Sequence, residues 1–135
     1  MRTSLTVAGV SAGFLMAVGS ATAHHAFSAE FDANRPLQLQ GTIAKTEWIN
    51  PHSWIHVDVE GEDGEIVTWA IECGAPNSLM RRGLNKNSIP VGTELVIEGF
   101  RAKDGSTTAN ASDITFPDGS TFFVGSSGTG APYER

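Results

Sequence analysis

The segment HSWIHVDVEGEDGEIVTWAIEC, residues 52–73, decides the fold. Between His52 and Glu60, Ile55, Val57 and Val59 fall on one parity and His52, Trp54, His56 and Asp58 on the other. That period of two marks a half-buried β-strand. Gly61-Glu62-Asp63-Gly64 has the composition of a hairpin turn. Glu65 to Cys73 returns as a second strand, with Val67, Trp69 and Ile71 on one face.

Strands continue on both sides of this hairpin. Pro36 to Ile49 reads as one long strand with Leu37, Leu39, Gly41 and Ile43 on one parity. Gly41 stands where a strongly bent first strand needs a residue without a side chain. The move of the apolar set to Trp48 and Ile49 predicts a bulge there, and Asn50-Pro51 ends the run. Downstream, Pro76 opens a short helix through Met80 to Arg82, and Gly83 closes it; Met80 is expected in the core. Thr93 to Ala102 is a strand with Leu95 and Ile97 inward, Asn110 to Phe116 another, and Thr121 to Val124 a last short one. Three strands, one helix between the third and fourth strands, then two or three more strands is the element order of a small Greek-key barrel of the OB type, closed or partly open. The expected class is therefore an all-β, OB-fold-like barrel over residues 36–124, with an irregular β-sandwich as the alternative. Residues 125–135 are rich in Gly and Ser and are expected to be a flexible tail.

The N-terminus carries an address. Arg2 supplies a positive start, Leu5 to Val18 an uncharged apolar run, and Ala21 and Ala23 an A-x-A cleavage pattern. The run of about 14 residues falls short of the roughly 20 that span a bilayer. Residues 1–23 thus read as a signal peptide, and the mature protein is expected in the periplasm or secreted, without stable membrane insertion. Residues 24–35 form an N-terminal arm in which Phe27 and Phe31 are candidates to pin it to the core.

The chain has 9 basic and 15 acidic residues. Loss of the signal removes Arg2 and no acid, leaving a net charge of −7. An acidic surface argues against nucleic acid as a partner, because phosphate binding needs a basic patch. Cys73 is the single cysteine, so no internal disulfide supports the fold; a buried strand position is expected for it, with a thiolate metal ligand as the minority reading.

The four histidines fall in two places, His24-His25 and the pair His52 and His56. Cleavage after Ala23 makes His24 the first residue, and its free amine and imidazole then form a chelate. Because the amine titrates near pH ~7.7–8.0, a metal can displace its proton at neutral pH. Nitrogen-rich sets of this kind favour Cu(II). On a regular strand, His52 and His56 lie ~13 Å apart, too far to share one ion. The expected metal set is His24, His25 and His52, with His56 as a further candidate; otherwise His52 caps a loop and His56 is a solvated strand residue. Trp54 is either an exposed stacking platform for a ligand or core beneath the arm. Glu30, Asp32 and Asp58 are weaker candidates as oxygen ligands. Arg81-Arg82 reads as a solvated positive spot at a helix end, and Asn110-Ala111-Ser112 fits a glycosylation sequon of low specificity. No G-x-S-x-G elbow, P-loop, G-x-G-x-x-G or H-E-x-x-H occurs, so an enzyme is not expected.

Taken together, these blocks resemble a family of short exported bacterial proteins of unassigned function. The resemblance rests on His24-His25-Ala26-Phe27, Glu47-Trp48-Ile49-Asn50-Pro51-His52-Ser53-Trp54, Gly74-Ala75-Pro76-Asn77, Arg81-Arg82-Gly83, Arg101-Ala102-Lys103-Asp104-Gly105-Ser106 and Gly125-Ser126-Ser127. It implies no catalytic roles. The functional expectation is a periplasmic domain that binds a transition metal, copper foremost, as carrier or buffer. The alternative is a metal-free module for a small ligand or a periplasmic protein partner.

Overall fold

The computed structural model of the chain describes residues 26–134. The expected signal peptide and cleavage point, with His24 and His25, lie outside the described residues. The elements are α1 (Ala26–Glu30), β1 (Phe31–Glu47), β2 (Trp54–Glu60), β3 (Ile66–Glu72), α2 (Pro76–Arg81), β4 (Glu94–Ala102), β5 (Thr108–Thr115) and β6 (Thr121–Phe123). Helix α2 falls between the third and fourth strands, as its Pro76 and Gly83 signals require.

The first strand is longer than its apolar pattern suggests. It begins at Phe31, within the segment expected to be an arm, and pairs with β4 from Phe31 to Thr42 and with β2 from Thr42 to Glu47. Serving two partners in succession forces it to bend. At the handover, a Cβ on Gly41 would overlap the carbonyl oxygen of Asp58 and sit 2.6 Å from Val57 Cγ1. Only glycine lets β2 approach that closely. The bulge falls earlier than expected, between Ile43 and Lys45, so that β1 ends at Glu47 and Trp48 turns back to pack against the core. Beyond it, Asn50 and Pro51 are joined by a cis peptide bond.

The β2–β3 hairpin follows the alternation closely, with Trp54 opposite Glu72, Val57 opposite Trp69 and Glu60 opposite Ile66. Each β-pairing is antiparallel except one. Strands β3 and β5 run parallel, with Ala70 opposite Thr108, Ile71 opposite Ala109 and Glu72 opposite Asn110. That pairing joins the two ends of the order β3-β2-β1-β4-β5, so hydrogen bonds run in a ring through five strands. Strand β6 adds to β5 outside the ring.

The ring closes around Ile43, Ile55, Val57, Ile71, Leu95, Ile97 and Ile114, all buried. Helix α2 and the loop after it contribute Leu79, Leu84 and Ile89 to the same cluster. Met80 is not part of it: the side chain is 52% exposed. A helix of six residues has one inward face, and Leu79 holds it. Gly83 then takes φ +90° and ends the helix, its N–H donating to the Met80 carbonyl at 3.0 Å.

A second, smaller core lies outside the ring. Phe27, Phe31, Ala102 and Ala131 are buried there, with Phe100 and Tyr133 packed against them. The Phe27 ring meets Phe31 at 5.7 Å, Phe100 at 5.6 Å and Tyr133 at 6.4 Å between centroids. Lys103 secures α1 further, its backbone N–H donating to the Glu30 carbonyl at 2.8 Å and its Nζ to the Ser28 carbonyl. The Gly/Ser-rich tail, expected to be flexible, packs here. Ser126, Thr129 and Ala131 are buried, and the Glu134 carboxylate accepts from the Thr129 N–H at 2.8 Å. Arg82 fastens the tail to α2, donating to the Gly125 carbonyl at 2.8 Å with its guanidinium 4.6 Å from the centre of the Phe123 ring. Arg82 is therefore a structural clamp and not a solvated charge.

Truncating the centre of the ring core should be costly. Ile97→Ala is expected to lose about 2–5 kcal/mol of stability, with cavity and transfer terms adding, whereas Val91→Ala at an exposed loop should change it by less than about 0.5 kcal/mol. Urea denaturation of both variants measures the contrast.

Candidate functional site

The register of the strands lays out one row of side chains across the outer face of the ring. Glu47 is opposite Trp54, Trp54 opposite Glu72, Glu72 opposite Asn110, and Asn110 opposite Phe100. Directly opposed residues share a face, so these five look away from the Ile55–Ile71–Ala109 core. Even so, Glu72 is only 9% exposed and Asn110 only 1%. The arm and the tail cover this end of the row.

Under that cover the polar groups form a chain. Tyr133 Oη donates to Asn110 Oδ1 at 2.8 Å. Asn110 Nδ2 donates to Glu72 Oε1 at 3.2 Å. His52 Nδ1 lies 3.8 Å from the same carboxylate oxygen and 3.3 Å from Ser126 Oγ. Burial raises the Glu72 carboxyl above its ordinary range; His52 and the Asn110 bond oppose the rise, and the nearby Glu30 carboxylate adds to it. Burial likewise pushes the Tyr133 phenol up to about 12. Cys73, fully buried next to Glu72, has its thiol driven far above the usual value by burial and then by the charge of Glu72. A thiol held protonated in this way is a poor metal ligand.

His56 sits on the other side of Trp54 in a different setting. Its Nε2 is hydrogen-bonded to Glu47 Oε2 at 2.7 Å, while Lys45 Nζ donates to the second oxygen at 2.8 Å. Lys45 first and His56 second lower the Glu47 carboxyl. The structure thus does not bring His52 and His56 together. Strand β2 sends His56 toward β1 and Glu47, and the loop before it sends His52 toward β3 and Glu72. Trp54, half-buried, stands in the row between the two carboxylates. His56 is also half-buried and bonded, where sequence alone offered a solvated strand residue as its default.

Other candidate ligands have local work. Asp58 accepts from Thr68 Oγ1 at 2.6 Å, and Asp32 accepts from the Asn34 N–H at 2.9 Å. Among the described residues, no three His, Cys, Asp or Glu side chains are grouped to hold a metal. Asn110, which fits a glycosylation sequon, is buried and bonded on both sides of its amide.

Sequence reasoning missed Glu72, Asn110, Ser126 and Tyr133. Glu72 has the outward parity of an ordinary exposed acid, and Ser126 sits in a run that looks like linker. The usable signal was Tyr133, the single tyrosine of the chain, lying beyond that run.

The fold and site define a small all-β protein whose two termini cover a buried chain of His, Glu, Asn and Tyr. By sequence the chain belongs to DUF6152, a family of unknown function, whose model matches residues 13–111. The match takes in His52, Glu72 and Asn110 and stops before Ser126 and Tyr133. No curated protein and no solved structure matches the chain.

Two measurements check the site. Tyr133→Phe removes the donor to Asn110 and leaves a buried amide oxygen unpaired, so the variant should lose about 1–3 kcal/mol in urea denaturation. Cys73 should resist an aromatic disulfide reagent at pH 8 in the native protein and react in full once urea unfolds it. Rapid labelling of the native protein would contradict the burial described.

Proposed function

We propose that the mature protein is a periplasmic metal carrier or buffer, with copper the metal its ligand chemistry favours. The ligands are the His24 amine and imidazole, His25 and the His52 ring, following signal cleavage after Ala23. His56 is set apart from the other three, bonded to Glu47 on the far side of Trp54 from His52. The five-strand ring is read as an OB-type Greek-key barrel. The parallel β3–β5 closure and the helix between β3 and β4 support that reading.

The observation that carries the proposal is the docking of the arm. Phe27 packs on Tyr133, Tyr133 bonds Asn110, Asn110 bonds Glu72, and Glu72 faces His52. His24 is three residues before Phe27, which limits it to about 10 Å of chain from that anchor. The arm is thus anchored on the same run of contacts that ends at His52, the histidine with which it would share an ion. The acidic balance of the chain adds a general attraction for cations.

A second reading is favoured by Trp54. It is half-buried on the outer face, opposite Glu47 on one side and Glu72 on the other. A cleft of about 320 Å³ lined by Phe123, Ser126, Ser127, Gly128, Tyr133 and Glu134 opens on the tail. A metal-free module holding a small ligand or a periplasmic protein would use such a face.

The deciding comparison is between protein with its natural mature terminus and the same chain carrying one added N-terminal Met. The first should bind about one Cu(II), and the second should bind at least about tenfold more weakly, since the chelating amine has moved. Equal affinity would remove the terminal amine from the site. A natively purified protein with no metal and a retained small molecule in its native mass would favour the second reading.

A further inference from the structure

We propose that the open edge of β3, from Ile66 to Thr68, is a docking edge that takes an extended, basic segment of another protein as an added strand. The inference is independent of the metal reading above.

The β2–β3 hairpin runs past the ring. Strand β3 pairs with β2 along its whole length, from Ile66 to Glu72, but β5 joins it only from Ala70 onward. The Ala70 N–H marks the side on which β5 lies, because it donates to the Thr107 carbonyl at 3.0 Å. Successive residues of a strand direct their N–H and C=O groups to opposite edges, so Ile66 and Thr68 direct theirs to the same side as Ala70. Among the described residues, no strand pairs with them there. A row of backbone donors and acceptors is left open, which is the template that a second chain extends by β-pairing.

The side chains at this edge suit such a partner. Ile66 is 66% exposed and Val67 41%. They lie on opposite faces of the strand, so an added strand covers apolar surface on both. Edges that must stay single are commonly guarded by lysine or proline, and β3 carries neither.

Charge selects the occupant. Glu60, Glu62, Asp63 and Glu65 are exposed around the turn before Ile66. On the outer face Glu60 is opposite Ile66 and Asp58 opposite Thr68, and Asp58 and Glu60 line a cleft of about 340 Å³ together with Glu94. Among the described residues, none of these carboxylates is paired with a Lys or Arg. A second copy of this chain, with the same formal charge of −6, is repelled from such an edge. A segment that alternates Lys or Arg with apolar residues meets both the acids and the two aliphatic side chains.

The test uses the mature protein and a soluble fluorescent peptide of alternating Lys and Val as the probe. With peptide bound, the Ile66 and Thr68 amides should exchange with solvent at least about tenfold more slowly by NMR, while the Val67 amide, which faces β2, should change little. By fluorescence anisotropy, a matched peptide of alternating Glu and Val should bind at least about tenfold more weakly, and joint Glu60→Lys and Glu62→Lys substitution should weaken the Lys and Val peptide by a similar factor. Thr68→Pro removes an edge donor and leaves the β2 side of the strand paired; it should weaken binding with the near-UV CD spectrum unchanged. No binding, or binding without slowed exchange at Ile66 and Thr68, overturns the proposal. So does exchange at these amides that slows with protein concentration in the absence of peptide, because the occupant is then a second copy.

Discussion

The parallel pairing of β3 with β5 is the constraint on which the rest depends. It is short, from Ala70–Thr108 to Glu72–Asn110, and it spans a long sequence separation, so its loop-closure cost is met only when the core between the strands is buried. Once formed, it turns an open order of strands into a ring and gives Ile71, Ala109 and Ile114 a closed interior. The same pairing sets Glu72 beside Asn110 on the outside. Fold and candidate site are thus two faces of one pairing: the inner residues of its last two pairs make core and the outer ones make the polar chain.

The outer face would be an ordinary wet sheet surface without the chain ends. Phe27 from the arm and Tyr133 from the tail meet over Phe100 and shut water away from Asn110 and Glu72. The cover is aromatic and the row below is polar, which is stable because Asn110 is satisfied on both sides of its amide. His52 stands at the margin of this cover, neither sealed nor free. That placement separates it from His56, whose carboxylate partner remains at the surface.

The strands were legible because they keep a period of two against a buried face: Ile55 and Val57, Trp69 and Ile71, Leu95 and Ile97 all lie inside as their parity requires. The helix was legible from Pro76 and Gly83. Less could be read where tertiary packing overrides local pattern. Val67 has the parity of Trp69 but sits near the hairpin tip, 41% exposed, where the core has ended. Met80 looks like a core residue by type and loses the place to Leu79. The site was half legible. Its histidines are visible by spacing, but Glu72 and Asn110 become special only through a cover made by residues at both ends of the chain, and local pattern carries no trace of that. The tail misled for a related reason: Gly and Ser suit a linker, and they equally suit a strap that must lie close to Phe123 and Tyr133.

The position of Tyr133 near the end of the chain has a consequence for the order of assembly. Chains emerge from synthesis N-terminus first, so all five ring strands are available before Tyr133 is. The ring and its interior can form while the outer row is still open to water, with Glu72 hydrated. The lid over that row can close only once the tail has met Phe27. Segments from both sides of the ring in sequence therefore converge on a single patch, and the polar chain beneath it is covered only when Phe27 and Tyr133 have met.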